Sequence, residues 1–292
     1  MNIGVIGTNG VIGRSLVPLL RSRGFKVRCF VQNSRHLQEL HKAGFAGEIA
    51  DLLAPQTLLA ALQGLDVVIN LTSNISSCTD GDAWAHNDQA WMEGTTNLLA
   101  CLTQLQRPCR LVQQSTAMLH TTDKLADENY EVSGQGVLAS AVVVEAMVQA
   151  ADIDWVLVRS GALYGPRTAR DALWAQQIME GQLAPPLEYR RWLSLIHIDD
   201  LTSAFAHCIT APGHQAYIAA DNEPVTYKML FSHIAGLSNV VPSPSSKRAP
   251  LPSFRVSNAR LRQTGWFPAY PSFREGLSSI IKVRNTADCV SV

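Results

Sequence analysis

The chain lacks a net charge, a long unbroken apolar run and any pairing pattern among its cysteines. Lys plus Arg and Asp plus Glu stand at 24 each, so no overall field draws the chain to nucleic acid or to an anionic membrane. No unbroken apolar run approaches the about 18 residues that a membrane-spanning helix needs. The first strand signal begins at residue 2, where a secretory leader would otherwise stand. The expectation is a soluble, cytoplasmic protein with neither nucleic-acid nor membrane partners. Cys29, Cys78, Cys101, Cys109, Cys208 and Cys289 show no CxxC or zinc-ligand spacing, which suits idle thiols in a reducing compartment. His197, Asp199 and Asp200 have the composition of a metal cluster but read as a helix start, with Asp199 or Asp200 as its cap. No metal is expected.

What is present is glycine in a particular order. The apolar, partly β-branched run Met1 to Ile6 reads as a buried strand, and Val11 to Arg21 carries apolar residues at helical spacing. Between them lies the loop Gly7, Thr8, Asn9, Gly10, Val11, Ile12, Gly13. A strand-to-helix turn of this form needs its first glycine for a tight backbone, its second for the approach of a pyrophosphate and its third for close helix packing. The helix amides then face the phosphates. A second strand, Lys26 to Val31, ends about 20 residues past the glycines, where a carboxylate would bind the ribose 2′-OH of NAD. Gln32, Asn33, Ser34 and Arg35 stand there instead. With no acid to repel a 2′-phosphate, and with Arg35 and Arg14 to hold one, NADP is favoured and NAD remains open.

Strand and helix signals then alternate: a helix over Gln56 to Leu62, a strand over Asp66 to Asn70, helices over Trp84 to Leu105 and Val137 to Ala151, and strands over Arg110 to Gln114 and Trp155 to Arg159. Such alternation predicts an α/β fold, a Rossmann-type doubly wound parallel sheet with a smaller C-terminal substrate lobe. The dinucleotide domain is expected over 1–165 with returning segments near 194–220. The lobe follows over 166–292, with 285–292 a frayed tail. The two long helices, apolar in VLASAVVVEAMV, leave a homodimer open as an alternative to burial against the sheet.

With these landmarks the chain resembles the extended or atypical short-chain dehydrogenases/reductases of the epimerase and dehydratase type. GTNGVIG matches that family's GxxGxxG, and Asp51 and Leu52 fall where it contacts adenine. NLTS, with Leu71 and Thr72, resembles its cofactor-lining loop after the fourth strand. GTTNLL at Gly94 to Leu99, LVQQSTA at Leu111 to Ala117, RSGALYGP at Arg159 to Pro166 and IHIDDL at Ile196 to Leu201 resemble further family segments. The resemblance runs from Asn2 to about Ile281 and implies cofactor-dependent chemistry on a small molecule.

It also shows what is missing. In that family a hydroxyl at the end of the fifth strand holds the substrate, a Tyr exchanges the proton, and a Lys four residues later lowers the Tyr's pKa. Thr116 stands at the hydroxyl position. VLASAVVVE keeps the family's Ser140 and Glu145 but places Val137 at the Tyr and Ala141 at the Lys. No Tyr of this chain has Lys four residues after it. A positioned acid-base group contributes about 10² to 10⁴ in rate, or about 3 to 5 kcal/mol. A replacement donor is therefore sought among His120, Asp127, Glu128 and Tyr130, and His120 is the best candidate because its pKa lies near neutrality. Arg167, Arg170, Arg190 and Arg191 could recognise a phosphorylated, nucleotide or carrier-bound substrate, or be solvated surface charges.

Three functions stay open: an NADP-binding enzyme of this type with a rearranged proton donor, a non-redox isomerase, cyclase or lyase that reuses the pocket, and a non-catalytic sensor of NADP(H).

Overall fold

The computed structural model describes residues 1–72, 81–134, 138–243 and 248–277, without the side chains of 81–87, 89 and 90. In chain order the first half runs β1 (Asn2–Ile6), α1 (Val11–Ser22), β2 (Lys26–Val31), α2 (Ser34–Lys42), β3 (Gly47–Ile49), α3 (Pro55–Leu62), β4 (Val67–Asn70), α4 (Gly81–Thr103) and β5 (Arg110–Thr116). It continues through β6 (Thr122–Ala126), α5 (Ala139–Ala150), β7 (Trp155–Ser160), β8 (Ala162–Tyr164), α6 (Ala169–Met179), β9 (Trp192–Leu193) and β10 (Leu195–His197). The last elements are α7 (Ile198–Cys208), β11 (Gln215–Ala219), β12 (Val225–Thr226), α8 (Tyr227–Ser238), β13 (Phe254–Val256) and α9 (Ala259–Gln263).

Seven strands form one sheet in the order β11-β7-β5-β4-β1-β2-β3. β1 pairs in parallel with both β2 and β4, β2 with β3 and β4 with β5. This is the α/β doubly wound fold expected, and its cause is legible in the strands. β1, β4 and β5 are buried along almost their whole length, which only a sheet covered on both faces allows. The chain steps outward from β1 through β2 to β3, then α3 carries it back to β4 on the other side of β1. The carboxyl ends of β1 and β4 thus flank the point where the winding reverses, the place such sheets bind ligands.

The chain divides into two compact units. The first comprises Met1–Leu119, Val132–Arg159 and Thr202–Tyr217; the second comprises His120–Glu131, Ser160–Leu201 and the chain from Ile218. This differs from a boundary at 165. The chain leaves the first unit already at Ser160, and the short excursion His120–Glu131 belongs to the second because β6 pairs with β13 there. In the first unit the side of the sheet under α3 and α4 is filled by Leu58, Leu62, Val68, Leu98, Leu102 and Leu111. No described helix is long and apolar enough to cross a membrane.

Candidate functional site: a dinucleotide cradle at the switch point

Gly7 lies one residue beyond β1 with φ +84°, a conformation that costs an L side chain free energy and glycine almost none. A Cβ on Gly7 would also stand 3.2 Å from the carbonyl carbon of Leu71, and one on Gly13 would stand 2.6 Å from both the Gly7 oxygen and the Thr8 Cα. These two glycines let the first turn of α1 close against the β1 end. Gly10 differs, since only the Gly7 oxygen, at 3.4 Å, lies near its missing Cβ. Its outer side is open. α1 begins at Val11 with no side-chain cap and no acid in its first turn, so amides and the helix dipole are offered to an anion. The residues present therefore fit a pyrophosphate.

The register brings the rest of the first unit's candidates to the same edge. Ile6 pairs with Asn70 and Asn70 with Gln113, so Gly7 and Leu71, each just past its strand end, lie level with Gln114 of β5, which runs two residues further. The Leu71 amide continues the ladder by donating to the Ile6 oxygen at 3.0 Å. Asn70, buried between β1 and β5, fixes the loop beyond it: its Nδ2 donates to Gln113 Oε1 at 2.9 Å, and its Oδ1 accepts from the Thr72 amide at 3.1 Å and hydroxyl at 2.7 Å. Thr8 is likewise tied, its hydroxyl donating to the Phe30 oxygen at 3.2 Å. Asp51 accepts from the Leu53 amide in a local turn, while the Leu52 oxygen accepts from Asn97 of α4 at 2.9 Å.

Asn33 caps α2, its Oδ1 accepting from the His36 amide at 3.0 Å. Arg35 therefore projects from the first helical turn, with its side chain 86% exposed and paired to Glu39 at 3.5 Å. Arg14 is exposed as well, and with Thr8, Asn9, Gly13 and Glu39 it lines a cleft of about 330 Å³ between α1 and α2.

Thr116 is the last residue of β5, two residues further than the strand was expected to run, and is 3% exposed. The Met118 amide donates to its hydroxyl at 3.2 Å. Just before it, Ser115 Oγ donates to Glu145 Oε1 at 2.5 Å. Arg159 donates to both oxygens of Glu145, from Nε at 2.9 and 3.2 Å and from Nη2 at 2.6 Å. This network joins β5, α5 and β7 beneath the Thr116 end of the sheet. Ser115 and Arg159 lie in the family-like segments LVQQSTA and RSGALYGP, and Glu145 at a matched family position, but nothing in the sequence pointed to their meeting. On α5, Ser140 donates to Asp88 at 2.8 Å and Ala141 is fully buried. Val137 lies outside the described residues, as do Cys78 and Cys289.

His120 belongs to the second unit. It is not the surface loop residue that a lone His after a strand suggests. It follows the short helical turn Ala117–Leu119 in the chain and is fully buried, edge-on to Tyr130 at 6.4 Å. Of the other proposed donors, Glu128 is committed elsewhere, accepting from the Ile218 amide at 2.9 Å and facing Arg260 at 3.5 Å. The expectation that Asp199 or Asp200 caps a helix is corrected. α7 starts at Ile198, and Asp200 instead accepts from the amides of Ala269 and Tyr270 at 2.6 and 2.9 Å. The same unit buries Tyr164, His197, Asp200 and Asp221. Burial raises the pKa of Tyr164, Asp200 and Asp221, and lowers that of His197.

Comparison with known proteins agrees with this geometry. Residues 7–180 match the family described as NAD(P)H-binding, and the chain belongs to that family. A 3-diazoavenalumate denitrifying reductase from a Streptomyces species is 27% identical over 95% of this chain and 99% of its own. A 2-alkyl-3-oxoalkanoate reductase from Stenotrophomonas maltophilia is 28% identical over 80% of this chain and 74% of its own. The Thermus thermophilus UDP-glucose 4-epimerase, solved as a complex with NAD, superposes with a TM-score of 0.82 over 98% of this chain and all of its own, at 20% identity. The last likeness places the fold among the epimerase and short-chain dehydrogenase structures.

Proposed function

We propose that the chain is an NADP(H)-dependent reductase of a small organic molecule. The observation that carries this reading is the end-to-end match to a reductase over 95% of this chain and 99% of the relative. The bound nicotinamide would supply the hydride. The chain's own residues do the rest. The α1 amides beyond Gly10 hold the pyrophosphate, Leu71 and Thr72 line the cofactor at the β4 end, and the Thr116 hydroxyl holds the substrate.

NADP is preferred because Arg35 sits at a helix N-terminus, where a cation is disfavoured and an anion welcome. Its exposed i,i+4 pair with Glu39 is worth about 0.3 to 0.5 kcal/mol, little against the charge-assisted bonds a phosphate would make with Arg35 and Arg14.

His120 is the proposed proton donor. The absent Tyr-Lys pair also fits a hydride acceptor that needs no proton on a carbonyl oxygen in the same step, and the diazo compound named for the Streptomyces relative is an acceptor other than a carbonyl.

The test is NADPH oxidation, followed at its absorbance, with a diazo compound, an azo compound and a 3-oxoalkanoate as acceptors. Turnover of at least one is expected, slowed by Thr116→Val and by His120→Ala. Cofactor binding without turnover would instead point to a sensor. Product of unchanged mass with no absorbance change would point to a non-redox reaction.

A further inference from the structure

The arginines of the second unit are not equally engaged. Arg190 is exposed and lies over the Tyr189 ring, and Arg255 stacks on Trp192 at 4.2 Å. Arg170, in the first turn of α6, has no ion pair among the described residues. It is half-buried, and its Nε is wholly buried without a hydrogen-bond partner. Close to it is Tyr227, 5% exposed, whose hydroxyl approaches the Leu251 backbone without reaching hydrogen-bond geometry and also lacks a partner.

Arg191 is the third member. β9 and β12 pair antiparallel, with Trp192 opposite Thr226, so Arg191 and Tyr227 are brought together, and the Tyr227 amide donates to the Arg191 oxygen at 3.2 Å. Burial raises the Tyr227 pKa, and the charges of Arg170 and Arg191 oppose that rise. Burial lowers the Arg170 pKa. The acid at hand, Glu188, is already held by the Ala249 amide at 2.7 Å and meets Arg191 only at 3.6 Å. Glu188 faces Arg248 as well as Arg191, and no carboxylate among the described residues pairs with Arg170, so positive charge is in excess at this place. A buried guanidinium edge with no acceptor costs stability, and natural interiors pair such groups. The fork of Arg suits a planar oxyanion, and a phenol can donate a further bond to it.

We propose that Arg170, Arg191 and the Tyr227 hydroxyl form an anion subsite that takes the carboxylate of the compound being reduced. This rests on the reductase reading above. The two named relatives fit it, since an avenalumate and an oxoalkanoate are both carboxylates.

The test is calorimetric binding to the NADPH-saturated protein of two acid-amide pairs, cinnamate with cinnamamide and 3-oxooctanoate with its amide, with inorganic phosphate and acetate as competitors. At least one acid is expected to bind about tenfold tighter than its amide. Arg170→Gln and Tyr227→Phe should remove most of that preference, Arg170→Lys should restore part of it, and NADPH affinity should be unchanged in all three. Equal affinity for acid and amide in both pairs, or an intact preference in Arg170→Gln, overturns the subsite. Stronger competition by phosphate than by acetate overturns the carboxylate assignment. Binding is read without turnover, so a carboxylate preference in a protein that reduces nothing would fail the reductase reading and leave the subsite standing.

Discussion

Arg159 and Glu145 form a buried ion pair at 2.6 Å, with side-chain exposures of 4% and 3%, and Ser115 donates to the same carboxylate. All of the carboxylate's charge is answered inside the protein, so removing one partner strands the other. Such a loss costs about 3 to 5 kcal/mol, whereas replacing both partners by apolar groups is often nearly neutral. Glu145→Leu and Arg159→Leu should each lower the free energy of urea unfolding by about that amount. The double variant should recover more than half of the summed loss. Strictly additive losses would show that the pair is not coupled.

The glycine loop gives a second contrast. A methyl group on Gly13 meets backbone at 2.6 Å on two atoms, while one on Gly10 meets a single oxygen at 3.4 Å. Gly13→Ala must move the α1 start away from β1, at a cost of about 1 to 3 kcal/mol, and NADPH binding should fall with it. Gly10→Ala should leave the unfolding midpoint within about 1 °C, because an exposed change of this size is worth less than about 0.5 kcal/mol. It should still weaken NADPH, because its methyl group occupies the phosphate approach. Unfolding and fluorescence titration of both variants separate the packing glycine from the binding glycine.

Much of this was readable in the sequence, and the reasons are local. Ile6 followed by GTNGVIG specifies strand, turn and helix through glycine stereochemistry, and the apolar runs Ile3 to Ile6 and Val67 to Ile69 specify burial on both faces, whereas β5, RLVQQST, is buried although most of its residues are polar. Asn70 was visible only as part of a loop motif. That it orients Thr72 and meets Gln113 depends on the register of β4 against β5, which no local pattern encodes. β6 was unreadable for a related reason: its partner is β13, whose register places Thr122 against Phe254, and that pairing moves His120 into the second unit. The burial of His120 follows from tertiary packing, which no spacing in the sequence announces.

Cofactor choice is testable at Arg35. The residue makes one weak exposed ion pair, so its removal should hardly alter stability. A charge-assisted bond to a phosphate is worth about 1.5 to 3 kcal/mol. Arg35→Ala should raise the Kd for NADPH about 10- to 100-fold and leave that for NADH within about twofold. Equal effects on both cofactors would remove Arg35 from the 2′-phosphate site.

The last prediction concerns pH and Asp221. This carboxyl is 2% exposed, and neither oxygen has a hydrogen-bond partner of good geometry among the described residues. Its pKa is raised well above 3.8, first by burial, then by the charge of Asp200 and, further down, of Glu275. The Tyr164 hydroxyl and the His197 amide act in the opposite direction. A carboxyl whose folded pKa is raised binds its proton more tightly in the folded state. Its stabilising contribution is therefore complete below the unfolded value and is lost as pH rises through the folded one. Asp221→Asn, which stays neutral, removes that loss. Relative to the parent, the variant should gain unfolding free energy steadily as pH rises from about 4 to 8. His197, whose pKa burial lowers, acts on the other flank: its contribution is lost as pH falls below about 6.5, so the parent should be squeezed from both sides and Asp221→Asn from the acid side alone. Urea unfolding at half-unit steps across this range would show it. A parent and variant with parallel pH profiles would mean that Asp221 is ionised in the fold and paired by a group not named above.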